Sequence, residues 1–186
     1  EYADPLIQQI SKIESISPFR HLITPGGFEM SVAMTNCGEY GWFSDRKGYR
    51  YVKVDPLTGK PWPKMPELYL SLAGQIAAKA GFENYEPDVC LINRYSPSSR
   101  LSLHQDKDEK DPVAPIVSIS LGLSATFMFG GLKRKDRPQR YLLEHGDAAV
   151  WGGKSRFVYH GISSVVDGDH FQLGAQRVSL TFRKVI

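Results

Sequence analysis

The sequence predicts a mostly β chain with flanking helices, folded as an antiparallel double-sheet barrel of jelly-roll type behind an N-terminal substrate-binding lid. Three observations carry that expectation. From Pro87 to the end, eight short β-type runs follow one another between turn signals. Ahead of them only two segments show helical periodicity, and the stretch between those helices is rich in Gly, Pro, Trp and Tyr. A chain of 186 residues with 41% hydrophobic content fills one core with little left over, so the sequence is read as one domain over 1–186. Within it, 1–86 supply the helices and lid and 87–186 the barrel.

The first helix runs from Asp4-Pro5-Leu6 to Ile16, with Leu6, Ile10 and Ile13 at helical spacing. Asp4 is expected as its N-cap, with Pro5 in the first turn, and Ser17-Pro18 ends it. Thr24 to Met65 then carries short strand-like runs, Ser31–Thr35 and Tyr49–Val54, and reads as lid or binding surface more than core. Pro66-Glu67 opens the second helix, where Leu68, Leu72 and Ile76 form an apolar stripe and Gly81 sits at the C-terminal glycine position. The barrel strands are expected at Val89–Tyr95, Leu101–Asp106, Ile116–Leu121, Ala125–Phe129, Tyr141–Glu144, Ala148–Trp151, Phe157–His160 and Val178–Arg183. Lys133-Arg134-Lys135-Asp136-Arg137 and Arg140 form a basic loop between two of them, readable as a solvated connection or as a contact for phosphates.

Composition narrows the classes. With 23 basic and 20 acidic residues, any nucleic-acid contact must come from local clusters, not from a global field. Cys37 and Cys90 have no second pair for a zinc cage or disulfide framework and read as reduced thiols of a cytoplasmic protein. No apolar run approaches the roughly twenty residues of a membrane span. The sequence opens at Glu1 rather than Met, which leaves the native N-terminus and any targeting signal open.

In Leu101-Ser102-Leu103-His104-Gln105-Asp106, strand alternation puts His104 and Asp106 on one face, where an imidazole and a carboxylate can share a metal. A distant histidine would complete a facial triad, the arrangement that leaves three positions open in non-haem iron(II) oxygenases. The candidates are His21, His145, His160 and His170. His160 fits best, at the end of the alternating run Arg156–His160. The last strand puts Arg177, Ser179, Thr181 and Arg183 on one face and Val178, Leu180 and Phe182 on the other. Inward arginines need an anion, and a small dicarboxylate supplies one through paired hydrogen bonds. The rival reading is an exposed, salt-bridged edge strand.

Asn93-Arg94-Tyr95, His104-Gln105-Asp106-Lys107-Asp108-Glu109, His160-Gly161 and the closing Arg177-x-Ser179-x-Thr181-x-Arg183, in that order, resemble the AlkB family of nucleic-acid dealkylating dioxygenases, most of all its bacterial members. The resemblance runs from Ser17-Pro18-Phe19-Arg20 to Arg183. It implies a double-stranded β-helix, catalytic Fe(II) held by His104, Asp106 and His160, and 2-oxoglutarate paired with Arg177 and Arg183. Asn93 and Tyr95 would be further partners of that acid. Ser179 stands where the family usually has Asn, a shorter hydrogen-bonding group expected to weaken the cosubstrate contact without abolishing it.

By the same resemblance, dioxygen and 2-oxoglutarate oxidise an N-methyl group, with release of formaldehyde, succinate and carbon dioxide. The implied substrates are 1-methyladenine and 3-methylcytosine. Such lesions cannot pair, so they unstack at low cost, and single-stranded DNA is the expected partner of a monomer, with RNA and duplex DNA secondary. Trp42 and Tyr49 match positions that stack on the base and grip its backbone, with the His104 ring opposite. Asp108 would offer negative charge to a cationic base, and Arg134 a contact to the lesion or its phosphates.

Overall fold

The computed structural model describes residues 3–186. Helix α1 (Ala3–Ile16) precedes β1 (Arg20–Ile23) and β2 (Glu29–Gly38). A hairpin of β3 (Gly41–Asp45) and β4 (Gly48–Val52) follows, and then α2 (Glu67–Lys79). The remainder is β5 (Val89–Tyr95), β6 (Leu101–His104), β7 (Ile116–Gly122), β8 (Ala125–Phe129), β9 (Gln139–Leu143), β10 (Ala148–Trp151), β11 (His160–Val165) and β12 (Arg177–Arg183), with a single 3-10 turn at Gly153–Ser155. A six-stranded sheet in the order β1-β2-β5-β12-β7-β10 faces a four-stranded sheet in the order β6-β11-β8-β9, every pairing antiparallel. This is the expected double-sheet barrel.

Two apolar clusters follow from strand alternation. On the outer face of the large sheet, Cys37, Cys90, Ile92, Ile119, Val178, Leu180 and Phe182 pack against Leu6, Ile10 and Ile13 of α1 and Tyr69, Ala73 and Ala77 of α2. The inner faces of the two sheets bury Val32, Met34, Leu91, Phe127, Trp151 and Ile162. Tyr69 also donates from its hydroxyl to the Leu6 carbonyl at 3.0 Å, joining the helices.

Four expectations change. Asp4 lies inside α1, which already begins at Ala3, and is a first-turn acid rather than the N-cap. The buried face of α2 is Tyr69, Ala73 and Ala77, with Leu68, Leu72 and Ile76 only partly covered, because the small alanines let the helix lie close to the sheet. Gly81 does end the helix as expected, with φ at +89°. The segment after α1 is not all lid: residues 32–37 of β2 are buried, and β2 pairs with β5. The large sheet therefore crosses the boundary expected at residue 86, and only β3–β4 stands apart as a separate two-stranded sheet. Finally, β12 is central and buried along all seven residues, which removes the edge-strand alternative.

Candidate active site

A cavity of about 510 Å³ opens between the two sheets. His104 ends β6 and His160 begins β11, and the antiparallel register sets their Cα atoms opposite each other. Gly161 makes this approach possible, since a Cβ there would lie 2.4 Å from the Leu101 carbonyl oxygen. Two local readings are corrected here. Asp106 lies beyond the end of β6 and enters the site from the following loop, and His160 starts a strand because residues 153–155 turn and leave Phe157 outside it.

The three side chains converge. Asp106 Oδ1 is 3.7 Å from His104 Nε2, and Asp106 Oδ2 is 3.4 Å from His160 Nε2. One ligand atom from each residue lies within 4.8 Å of the others, a spacing suited to one metal ion. Each imidazole leaves Nε2 free by directing Nδ1 at a backbone carbonyl, His104 to Ser102 at 2.9 Å and His160 to Val158 at 3.0 Å. Burial and the neighbouring His160 lower the His104 pKa to about 4, so the ring is a neutral ligand at pH 7. Burial opposes ionisation of Asp106, but Arg183 and the two imidazoles outweigh it and hold the carboxyl well below the usual range. Of the other histidines, His21 directs Nδ1 at the Met30 carbonyl, His145 accepts from the Gly122 N–H, and His170 lies beside His145. None joins the cluster.

The inner face of β12 borders the same cavity with Arg177, Ser179, Thr181 and Arg183, and β5 adds Asn93 and Tyr95 in register beside them. Arg177 is buried and donates once, from Nη2 to Ser120 Oγ at 2.9 Å. Its Nε and Nη1 have no partner, Asn93 Oδ1 is likewise unsatisfied, and among the described residues no carboxylate pairs with Arg177. Burial lowers its pKa. A guanidinium buried in this way calls for an anion from outside the protein, and a carboxylate of 2-oxoglutarate would supply acceptors for its unpaired N–H groups. Arg183 is committed differently, donating from Nη2 to Asp106 Oδ1 at 3.0 Å. Ser179 is buried between Asn93 on one neighbouring strand and Ser120 on the other.

At the cavity mouth, Trp42 and Tyr49 stack with ring centroids 5.6 Å apart and planes 18° from parallel. Asp108 and Arg134 also line the mouth, Arg134 from the exposed β8–β9 connection. Burial and the Glu109 carboxylate raise the Asp108 pKa against a hydrogen bond from Trp42. Sequence reasoning gave no role to Tyr51, Glu109 and Arg156, which form a buried network behind the triad. A run of charged residues after Asp106 was the only signal, and it does not distinguish a buried carboxylate from a solvated one.

The chain matches the model of the 2OG-Fe(II) oxygenase superfamily over residues 3–183. It is 57% identical over 182 residues to the alpha-ketoglutarate-dependent dioxygenase AlkB of Salmonella typhimurium, covering 98% of this chain and 84% of that one. It is 36% identical over 95 residues to the human nucleic acid dioxygenase ALKBH1, covering 51% of this chain and 24% of that one. The solved structure of OsALKBH1 superposes with a TM-score of 0.84 at 29% identity, covering 97% of this chain and 90% of the other. Enzymes of this kind use Fe(II), 2-oxoglutarate and dioxygen, and the donor set described above fits the metal and the acid. The chain belongs to the AlkB family of Fe(II)- and 2-oxoglutarate-dependent dioxygenases.

Proposed function

We propose that this dioxygenase demethylates alkylated bases, 1-methyladenine and 3-methylcytosine, in single-stranded DNA and also in RNA, and so repairs alkylation damage. One observation carries the reading. The cavity that contains the triad opens between an aromatic pair, Trp42 and Tyr49, and the carboxylate of Asp108. Ring-nitrogen methylation makes adenine or cytosine cationic, and a cationic planar base is what aromatic faces beside a carboxylate attract. The names of relatives agree, since ALKBH1 is called a nucleic acid dioxygenase.

In this reading His104, Asp106 and His160 hold Fe(II) through Nε2 and carboxylate oxygens, and Arg177, Asn93 and Tyr95 receive the far carboxylate of 2-oxoglutarate. Arg183 holds Asp106 ionised and in place, and meets the cosubstrate from the metal end. Ser179 supplies a hydroxyl where the family has a longer amide. Trp42 and the half-exposed Tyr49 grip the flipped base and its backbone, Asp108 faces its exocyclic amine, and Arg134 contacts phosphate. Fe(II) held by these three residues would, with dioxygen and 2-oxoglutarate as co-reactants, supply the oxidation of the N-methyl group that ends in release of formaldehyde. The protein contributes orientation and exclusion of water. No helix among the described residues is long and apolar enough to cross a membrane. The reading takes the protein as a monomer, and the two free, buried cysteines suit a cytoplasmic setting.

The test is mass spectrometry of a single-stranded DNA oligomer bearing one 3-methylcytosine, incubated with protein, Fe(II), 2-oxoglutarate and oxygen. The expected result is loss of one methylene mass that requires every component and disappears in His104→Ala. An unchanged oligomer with folded, iron-loaded protein that still turns over 2-oxoglutarate would reject the substrate assignment.

A further inference from the structure

Glu109 is the one carboxylate near the triad that neither lines the cavity nor sees solvent, with its side chain 2% exposed. Its partners come from three parts of the molecule. Tyr51, on strand β4 of the separate hairpin, donates its hydroxyl to Oε1. Arg156 Nη2 donates to Oε2 at 3.1 Å, while Nη1 of the same guanidinium donates to the Asp106 carbonyl at 2.7 Å and Nε to the Ala114 carbonyl at 2.9 Å. Arg183 Nε lies 3.5 Å from Oε1 while its Nη2 holds the Asp106 carboxylate. Two guanidiniums and two carboxylates therefore balance inside the protein. The only side chain that this network borrows from the hairpin is Tyr51.

We propose that Glu109 is a positioning residue that latches the β3–β4 hairpin, through the Tyr51 hydroxyl, to the arginine and aspartate of the cosubstrate and metal site. The hairpin carries Trp42 and Tyr49 on one side of the cavity mouth. Seating it lets Tyr51 donate to Glu109, and the anion so fixed aligns Arg183 and Arg156, which together grip both the carboxylate and the backbone of Asp106. Cosubstrate binding at Arg183 in turn stabilises the network that receives Tyr51. The two events are linked, so each ligand must favour the other by the same factor.

Two arms test this. The first rests on the latch alone: hydrogen–deuterium exchange of residues 41–52 in metal-free protein. Tyr51→Phe removes one hydroxyl and should speed exchange there by about fivefold, while leaving β5 and β12 unchanged. Unchanged exchange in 41–52 would overturn the latch. The second arm rests on the proposed nucleic-acid function. The affinity for 2-oxoglutarate, with Mn(II) in place of iron so that no turnover occurs, is measured with and without a 3-methylcytosine oligomer. Wild type should bind 2-oxoglutarate more tightly when the oligomer is present. In Tyr51→Phe that factor should fall towards one, and in Glu109→Gln the affinity without oligomer should also drop about tenfold. A factor that persists unchanged in Tyr51→Phe, or that is one in wild type, would overturn the coupling. An oligomer that binds no variant would reject the nucleic-acid reading and leave the exchange arm to decide the latch. Should Glu109→Gln fail to fold, Tyr51→Phe decides both arms.

Discussion

Strand β12 and the β3–β4 hairpin both serve the same cavity, yet they are built in opposite ways. β12 runs through the middle of the large sheet, paired on both sides, and buries all seven residues. The hairpin pairs only with itself, leaves Tyr49 half exposed, and holds a surface ion pair between Arg50 and Asp45. The arginine proposed to meet a small acid is mounted on this rigid large sheet, while the proposed metal cluster is set across from it by His104 and His160 of the small sheet and by Asp106 from the loop after β6. The aromatic pair proposed to receive a base is mounted on an element that shares no strand pairing with either sheet and is tied to them by side-chain contacts such as those of Asn36 with Trp42 and of Ser44 with Ile23.

The contrast breaks most visibly at Phe182, whose ring meets Tyr69 of α2 edge-on at 5.9 Å on the outer face of β12. Phe182→Ala empties a site in the main core and should cost about 3–5 kcal/mol of stability. Urea unfolding of the metal-free protein measures it. A loss near zero would mean that β12 is not the mechanical centre of the fold.

Arg177 lies five residues away on the inner face of the same strand, and there burial has the opposite meaning. Its guanidinium lacks partners on two of its nitrogens. Arg177→Met should leave the unliganded protein as stable as wild type or up to a few kcal/mol more stable, because it replaces an unpaired buried charge with an apolar side chain. The same change should weaken 2-oxoglutarate binding by about 100-fold. Thermal unfolding without ligands and calorimetric titration with 2-oxoglutarate and Mn(II) separate the two effects. Destabilisation together with unaltered binding would reassign Arg177 to a structural role.

Alternation made β12 legible in advance, since Arg177, Ser179, Thr181 and Arg183 do share the inner face and Val178, Leu180 and Phe182 the outer. It failed where the local backbone departs from a strand. Asp106 follows the end of β6, and the turn at residues 153–155 moves the start of β11 to His160. In both cases the residue still joins the cluster of His104, Asp106 and His160, but by a different local route from the one expected. Strand β2 is expected only as the short run Ser31–Thr35 of the lid; its full length and its place beside β5 escape because residues 32–37 are buried on both faces and show no simple alternation. Arg156 and Glu109 were not legible at all, because a buried charge pair made by residues 47 positions apart has the same local sequence as two solvated surface charges.

The smallest effect expected belongs to the hairpin's own ion pair. Arg50 grips Asp45 with two hydrogen bonds of 2.8 Å, and with the Lys47 N–H this lowers the Asp45 carboxyl to about 2. A carboxyl depressed on folding adds stability above its ordinary value near 4, and loses it as pH falls from there towards about 2. Both side chains are about one-third exposed, so water and salt screen the attraction and little stability is at stake. Asp45→Asn should shift the melting temperature at pH 7 by less than about 2 °C, and by less still in 0.5 M salt or at pH 2. A larger shift that persisted in salt would show that Asp45 holds the hairpin from within by more than a screened surface ion pair can supply.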